Sequence, residues 1–142
     1  MIKFHKVKDD AIIPKRQSKG SAGYDFYINE DFTIAPHEVK IVKTGIKAAM
    51  PSDVVLLIYI RSSVSIKRQV MLANNVAVID ADYYNNIDNE GEIGITFYNY
   101  GTTVQSFNKG ERLAQGIFVK YLTTVDDSVD TERTGGVGST GK

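Results

Sequence analysis

The stretch VAVIDADYYNN, residues 76 to 86, is the part of the chain from which the fold and the site can both be argued. Four apolar residues, Val76 to Ile79, are followed by Asp80-Ala81-Asp82 and by two tyrosines. The apolar run predicts a buried strand. Aspartates at its end are typical of a turn, because their side chains can hydrogen-bond the nearby backbone. Taken alone, this stretch predicts that the two carboxylates are solvated turn residues.

Short runs rich in β-branched and aromatic residues recur on both sides of this stretch, with turn residues between them. Several runs alternate polar and apolar residues, which is the two-residue period of a strand with one buried face. The runs are IKFHKV (2–7), YDFYINEDFTI (24–34), VKIVKTGIKAAM (39–50), VVLLIYI (54–60), GEIGITFYNY (91–100) and GIFVKYLTTV (116–125). They predict an all-β domain, with a sandwich or jelly roll as the leading architecture.

One short helix is predicted, over residues 62–72, SSVSIKRQVML. Val64, Lys67 and Met71 fall at helical spacing, and the serines stand at the predicted N-cap. The composition changes at Asp126, because residues 126–142 contain two valines and no larger aliphatic or aromatic residue. We therefore expect a β domain over residues 1–125 and a C-terminal arm, residues 126–142, that is mobile until something binds it.

Composition excludes several classes of function. The 142 residues carry 17 basic and 17 acidic side chains, so no net positive field attracts nucleic acid. The absence of cysteine excludes disulfides and sulfur-based zinc sites and favours the cytoplasm. The longest apolar run, residues 54–60, falls far short of the roughly 20 residues that a membrane-spanning helix needs. We expect a cytoplasmic protein whose partners are neither nucleic acids nor membranes.

Four further motifs could carry chemistry: SAGYD (21–25), RSS (61–63), RLAQG (112–116) and GGVGSTG (135–141). RSS opens the predicted helix, where free N–H groups suit a phosphate, although a plain N-cap with a locally paired arginine fits equally well. The glycines of the arm let backbone N–H groups converge on an anion, although a flexible tail has the same composition. A buried pair of Asp25 with Arg112 or Gln115 would be structural.

In chain order, SAGYD, RSS, VIDADYY, RLAQ and GGVGSTG resemble the five motifs of the homotrimeric dUTPase family, and their spacings agree over nearly the whole chain. The resemblance implies a jelly-roll-like or distorted β-barrel subunit in a homotrimer, with active sites at the subunit interfaces and the arm closing over one of them. It also implies hydrolysis of dUTP to dUMP and pyrophosphate, with Mg²⁺ chelated by the triphosphate and water attacking the α-phosphorus. That reaction belongs to nucleotide metabolism and keeps uracil out of DNA.

The resemblance further implies roles for residues of the opening stretch. Asp80 would hold and deprotonate the attacking water, because an ionised carboxylate only accepts hydrogen bonds. Tyr83 would lie flat against the deoxyribose and leave no room for a ribose 2′-hydroxyl. The hairpin that runs from Asn74 through Ile79 would read uracil with backbone groups.

The other motifs would contact the phosphates. Arg61, Ser62 and Ser63 would bind them, Gln115 would reach the phosphate and a metal-bound water, and Asp25 would orient the metal's water shell or the subunit interface. No side chain would ligate Mg²⁺ directly. In the arm, Arg133 would reach the γ-phosphate. The remaining contacts of the arm would come from Gly136, Val137, Gly138, Ser139 and Thr140.

The chain departs from the family pattern at several positions. Val137 stands where the family commonly has a phenylalanine that stacks on uracil, and Ala77 stands where a glycine is usual. Arg133 is one residue closer to the glycines than in the usual form. The hairpin after Tyr83 is longer by about residues 85–90, which are called the inserted loop. This loop could touch the substrate, contact a protein partner or be neutral.

Two other functions remain open from the sequence. A deoxycytidine triphosphate deaminase shares the fold and resembles this chain at RSS and at Ile79-Asp80, but it fits the SAGYD and GGVGSTG motifs less well. A nucleotide-dependent interaction protein would instead use dUTP to order the arm and would present the inserted loop to a partner.

Overall fold

The computed structural model describes residues 1–133 and 135–138. These residues form eleven short strands and one α-helix, which confirms the all-β prediction. The elements in chain order are β1 (Lys3–Lys6), β2 (Tyr24–Tyr27), β3 (Phe32–Ile34), β4 (Val39–Lys43), β5 (Ile46–Ala49), β6 (Val54–Ile60), α1 (Ser62–Arg68), β7 (Val70–Leu72), β8 (Ala77–Ile79), β9 (Gly94–Asn99), β10 (Gln105–Phe107) and β11 (Arg112–Lys120).

The strands pair antiparallel in four sheets. The central sheet has the order β2-β11-β6-β8, and a second sheet has the order β4-β9-β7. Two smaller sheets pair β1 with β5 and β3 with β10. Across residues 1–133 and 135–138 the sheets do not close into a barrel, so the subunit is jelly-roll-like.

A single hydrophobic core holds the sheets together. Buried and half-buried residues alternate along β6 and β9, as expected for strands with one face toward the core. The Phe32 ring stacks on Phe97 and Phe107, with centroid separations of 5.3 and 5.0 Å, and thereby links β3, β9 and β10. Aromatic pairs of this kind stabilise a core beyond the area that they bury.

The predicted helix over residues 62–72 is too long. The helix α1 ends at Arg68, because Gln69 adopts a left-handed backbone conformation with φ of 55°. Val70–Leu72 is strand β7 and pairs with β9, so tertiary pairing overrides the helical spacing. The predicted serine N-cap is also wrong, because Arg61 occupies that position and no side chain caps the helix.

The prediction of a buried strand over residues 76–79 is only partly correct. The strand β8 covers Ala77–Ile79 and forms the edge of the central sheet, with β6 as its neighbour. Because successive side chains of a strand point to opposite faces, Ala77 and Ile79 pack toward the core while Val78 remains 60 % exposed. The strands β7 and β10 were not predicted; in β10, Phe107 is the only apolar residue. No helix in the described part of the chain is long and apolar enough to cross a membrane.

Candidate active site

Four polar side chains from three motifs meet on the central sheet, and they are called the Asp25 cluster: Asp25, Arg61, Arg112 and Gln115. The register of β2 and β11 places Gln115 opposite Asp25. Arg112 donates a hydrogen bond of 2.8 Å to one Asp25 carboxylate oxygen, and the Arg61 Nε lies 4.0 Å from the other. Arg61 also donates to the carbonyl of Arg112 at 2.8 Å. Strand pairing therefore builds this cluster before any ligand is bound.

The Asp25 cluster carries one carboxylate and two guanidinium groups. Asp25 is only 7 % exposed, whereas the Arg61 and Arg112 side chains are 30 % and 36 % exposed. The pair of Asp25 with Arg112 is therefore the structural one that the sequence allowed. The cluster still has a surplus positive charge, and its arginines retain exposed donors, which is what binding of a phosphate needs.

The RSS motif lies beside this cluster. Ser62 and Ser63 are the exposed first residues of α1 and directly follow Arg61.

Gln115 packs over Gly23, where an added Cβ would come within 2.5 Å of its Oε1. A side chain at Gly23 would therefore displace Gln115 from the cluster.

A second group of predicted residues surrounds a cavity of about 270 Å³, which is called the Asp80 pocket. This volume lies near the lower end of small-molecule pockets, roughly 300 Å³. Strand β8 contributes one wall, and its edge away from β6 has no strand partner in the described residues. The residues that line the pocket are Asn74, Ala77, Val78, Ile79, Asp80, Tyr83, Gly94, Thr96, Arg133, Val137 and Gly138.

Asp80 and Tyr83 stand at the two ends of a single turn of 3₁₀ helix, whose helical residues are Ala81–Tyr83. The Tyr83 N–H donates to the Asp80 carbonyl at 3.1 Å. The Asp80 carboxylate is 55 % exposed, whereas Tyr83 is only 6 % exposed. The Tyr83 hydroxyl donates to the Glu92 carbonyl at 2.7 Å, which fixes the ring against the pocket. A water-accessible carboxylate therefore stands beside an immobilised aromatic ring.

The arm reaches this pocket through Arg133. One guanidinium nitrogen of Arg133 lies 3.2 Å from carboxylate oxygens of both Asp80 and Asp82, and the group lies 5.3 Å from the Tyr83 ring centroid. The Arg133 side chain is 8 % exposed. The arm therefore places a guanidinium group on the carboxylate that was predicted to hold a water. The contact of Arg133 with a γ-phosphate stays a prediction.

The sequence did not reveal Asp82 as a partner of Arg133, because it was expected to point outward from the turn. The spacing of two aspartates around Ala81 was the available signal. The predicted contacts of Ser139 and Thr140 lie outside the described residues. In the part of the chain that the structure describes, no group of three histidine, aspartate or glutamate side chains could hold a metal ion.

The two groups of predicted residues do not meet within one chain. Among residues 1–133 and 135–138, no member of the Asp25 cluster lines the Asp80 pocket. One group presents arginines and the other presents a carboxylate, an aromatic ring and a strand edge. The two surfaces are therefore chemically complementary halves, one suited to an anion and the other to a flat polar ring.

The chain is similar to known proteins over nearly its whole length. The family model described as dUTPase matches residues 9–141. A deoxyuridine 5′-triphosphate nucleotidohydrolase of Lactococcus lactis is 46 % identical over 139 residues, which are 96 % of this chain and 93 % of the relative. An enzyme of the same name from Picosynechococcus is 39 % identical, over 99 % of this chain and 98 % of its own. The crystal structure of a dUTPase from Streptococcus mutans superposes with a TM-score of 0.81 and 37 % identity, covering 85 % of this chain and 97 % of that one.

Proposed function

The chain belongs to the dUTPase family, and from that premise we propose that it cleaves dUTP by means of a water molecule held on Asp80. As a dUTP diphosphatase it converts dUTP to dUMP in nucleotide metabolism, with pyrophosphate as the second product. The observation that carries the proposal is the half-exposed Asp80 carboxylate at a pocket walled by Tyr83 and by the free edge of β8.

The base and the sugar bind in the Asp80 pocket. The free edge of β8, from Ala77 to Ile79, offers backbone donors and acceptors that can pair with the polar edge of uracil, and Asn74 stands at the same wall. Cytosine presents a reversed donor and acceptor pattern, so it would leave buried groups unpaired. The fixed Tyr83 ring packs against the deoxyribose and leaves no room for a 2′-hydroxyl.

Asp80 acts as the general base. Its ionised carboxylate accepts a proton from water while the water oxygen forms a bond to the α-phosphorus, and the bond to the bridging oxygen of the pyrophosphate breaks. No covalent intermediate is required. The rate comes mainly from positioning and charge neutralisation, as in other phosphoryl transfers.

The Asp25 cluster and the RSS motif bind the phosphates. The phosphate oxygens are contacted by Arg61, Ser62 and Ser63. The Gln115 side chain forms hydrogen bonds beside these contacts. For Arg133 to reach the γ-phosphate, its guanidinium must leave Asp80 and Asp82, which frees Asp80 to hold the water.

Mg²⁺ fits this site as an ion carried by the substrate. A single carboxylate between two guanidinium groups suits hydrogen bonds to metal-bound water better than direct ligation, because Mg²⁺ retains several waters and binds through phosphates. Asp25 and Gln115 would therefore hold its water shell. When bound, the ion neutralises charge on the triphosphate.

The separation of the two halves within one chain supports a shared site. If the Asp80 pocket of one subunit faces the Asp25 cluster of another, a homotrimer contains three complete sites, and the arm, residues 126–142, closes over them. The absence of cysteine favours the cytoplasm as the compartment.

The deciding experiment measures pyrophosphate release with Mg²⁺ from dUTP, dTTP, dCTP and UTP under identical conditions. We expect release from dUTP alone. Turnover of UTP would remove the sugar discrimination assigned to Tyr83, and ammonia release from dCTP would indicate a deaminase. Absence of turnover with all four nucleotides would overturn the proposed function.

A further inference from the structure

The inserted loop is a preformed structure. Its ends are joined by a hydrogen bond of 3.0 Å from the Asn85 N–H to the Glu90 carbonyl. Lys47 binds the side chains of both residues, at 2.6 Å to Asn85 and 2.7 Å to Glu90. Both residues have positive φ, 58° for Asn85 and 65° for Glu90, which is an uncommon conformation for a residue other than glycine. The loop is therefore held in one shape by its closure.

Two asparagine side chains fill the loop. Asn86 donates to the Tyr83 carbonyl at 2.8 Å and to the Asn89 side chain at 2.7 Å, and its own carbonyl accepts the backbone N–H groups of Asp88 and Asn89. Asn89 donates to the Tyr83 hydroxyl at 2.8 Å. The loop is consequently part of the support of the ring that lines the Asp80 pocket.

The same loop contacts the arm. The Asp88 carboxylate accepts the backbone N–H of Gly136 at 2.8 Å. An added Cβ at Gly136 would lie 3.4 Å from the Asn89 amide nitrogen and 3.5 Å from the Asn86 carbonyl oxygen, so the arm backbone lies directly on the loop. Of the described residues from Tyr121 onward, only Gly135 and Gly136 are buried. Together with the buried Arg133 side chain, this contact packs the described arm against the domain.

The next two residues of the arm line the Asp80 pocket. Val137 and Gly138 follow Gly136 directly, and both belong to the wall of the cavity. Val137 is 87 % exposed, so its own packing does not hold it there. Two hydrogen bonds fix the preceding residue: the Gly136 N–H donates to Asp88 at 2.8 Å, and the Gly136 carbonyl accepts from Arg133 at 3.0 Å. Of these two, only the bond to Asp88 ties Gly136 directly to the inserted loop.

We propose that the inserted loop is the docking site of the arm and that Asp88 is a positioning residue, which holds Val137 and Gly138 at the mouth of the nucleoside pocket. The inference rests on the proposed function, because the pocket is taken to bind deoxyuridine. It assigns the loop a use toward substrate rather than toward a protein partner. In a symmetric trimer the same two residues meet whichever subunit supplies the arm.

Arg133 gives a test that is independent of turnover. Trypsin cleaves after arginine, and a docked arm keeps the Arg133 side chain 8 % exposed. We expect Asp88→Ala to raise both the rate of cleavage after Arg133 and the KM for dUTP, roughly three- to tenfold each, because Asp88 is exposed and its hydrogen bond has the strength of an ordinary one. Asp88→Asn keeps an acceptor oxygen and should lie close to wild type.

Two further variants separate docking from folding of the loop. Ile87→Ala alters the neighbouring residue, which is 86 % exposed, and should leave both readouts unchanged. Gly136→Pro removes the N–H donor on the arm. The double variant with Asp88→Ala should therefore show a cleavage rate and a KM no higher than those of the more damaging single variant. Additive costs in the double variant would overturn the proposal.

The other possible results for Asp88→Ala and for the wild-type protein also test the proposal. An Asp88→Ala protein with unchanged cleavage and unchanged KM would overturn the docking site. Faster cleavage with an unchanged KM would overturn the positioning role of Asp88. If the wild-type protein does not hydrolyse dUTP, the proposed function fails, while the cleavage rates still decide whether the arm docks on the loop.

Discussion

The Asp25 cluster and the Asp80 pocket are built in opposite ways. In the Asp25 cluster the side chains come from paired strands or their ends, and the buried carboxylate already has its cation. The Asp80 pocket is lined by two residues of β9, but the rest of it is a three-residue edge strand, one 3₁₀ turn, a loop and the arm. Its carboxylates are more than half exposed, and their cation comes from a segment that lies 53 residues away from Asp80 along the chain.

This difference shows how folding stability and chemistry can be divided within one subunit. Charged side chains that are fixed by strand register stabilise the fold and offer an anion site. They cannot change partners without a loss of folding stability. The turn carboxylates Asp80 and Asp82 contribute little to folding, because they are more than half exposed, yet they can exchange partners when a ligand arrives. Three substitutions test that division.

The largest effect is expected from Asp80→Asn. If Asp80 is the general base, its removal should lower kcat for dUTP by about 10²- to 10⁴-fold, the usual contribution of such a group. Binding of a non-hydrolysable dUTP analogue, measured by calorimetry, should change little. Asp82→Asn is the matched control, because Asp82 also pairs with Arg133 and is 56 % exposed, and its kcat should stay within about threefold of wild type. Equal losses in both variants would remove Asp80 from its role.

A smaller effect, on stability rather than on rate, is expected from Asp25→Asn. This change leaves two guanidinium groups without their buried anion and should lower the free energy of unfolding by about 2 kcal/mol, less than for a fully buried pair because the arginines are one-third exposed. Asp80→Asn should alter it by less than about 0.5 kcal/mol. Urea denaturation compares the two. If Asp80→Asn proved the more destabilising, the contrast between cluster and pocket would not hold.

The smallest effect is expected from Val137→Phe. Stacking of an aromatic ring on a base contributes on the order of 1 kcal/mol or more, so the KM for dUTP should fall about fivefold. Val129→Phe, at another exposed position of the arm, serves as the control and should leave the KM unchanged. An unchanged KM in Val137→Phe would mean that the arm does not present this residue to the base.

Most of the fold could be predicted because strands carry a local signal. The apolar run at 54–60 located β6 and the alternating run at 91–100 located β9, but the run at 116–125 begins inside β11 (Arg112–Lys120) and extends past its end. Strand β7 was mistaken for helix because a three-residue strand depends on its partner β9. A buried pair of Asp25 with Arg112 could be anticipated as a structural explanation of the SAGYD and RLAQG motifs. The partners of Arg133 and Asp88 could not, because they depend on where the arm returns to the domain, and no periodicity in the sequence encodes that path.

The resting position of Arg133 also has a consequence for the end of each catalytic cycle. If this guanidinium moves to the γ-phosphate of the substrate, it holds the departing pyrophosphate rather than dUMP once the bond is broken. Exit of pyrophosphate then leaves the guanidinium without that anion, and Asp80 and Asp82 are the carboxylates that it contacts in the structure. The attacking water has by then been consumed, so the returning guanidinium would take its place on Asp80 and loosen the remaining monophosphate. A single arginine would thereby control both the opening of the site and the release of the product.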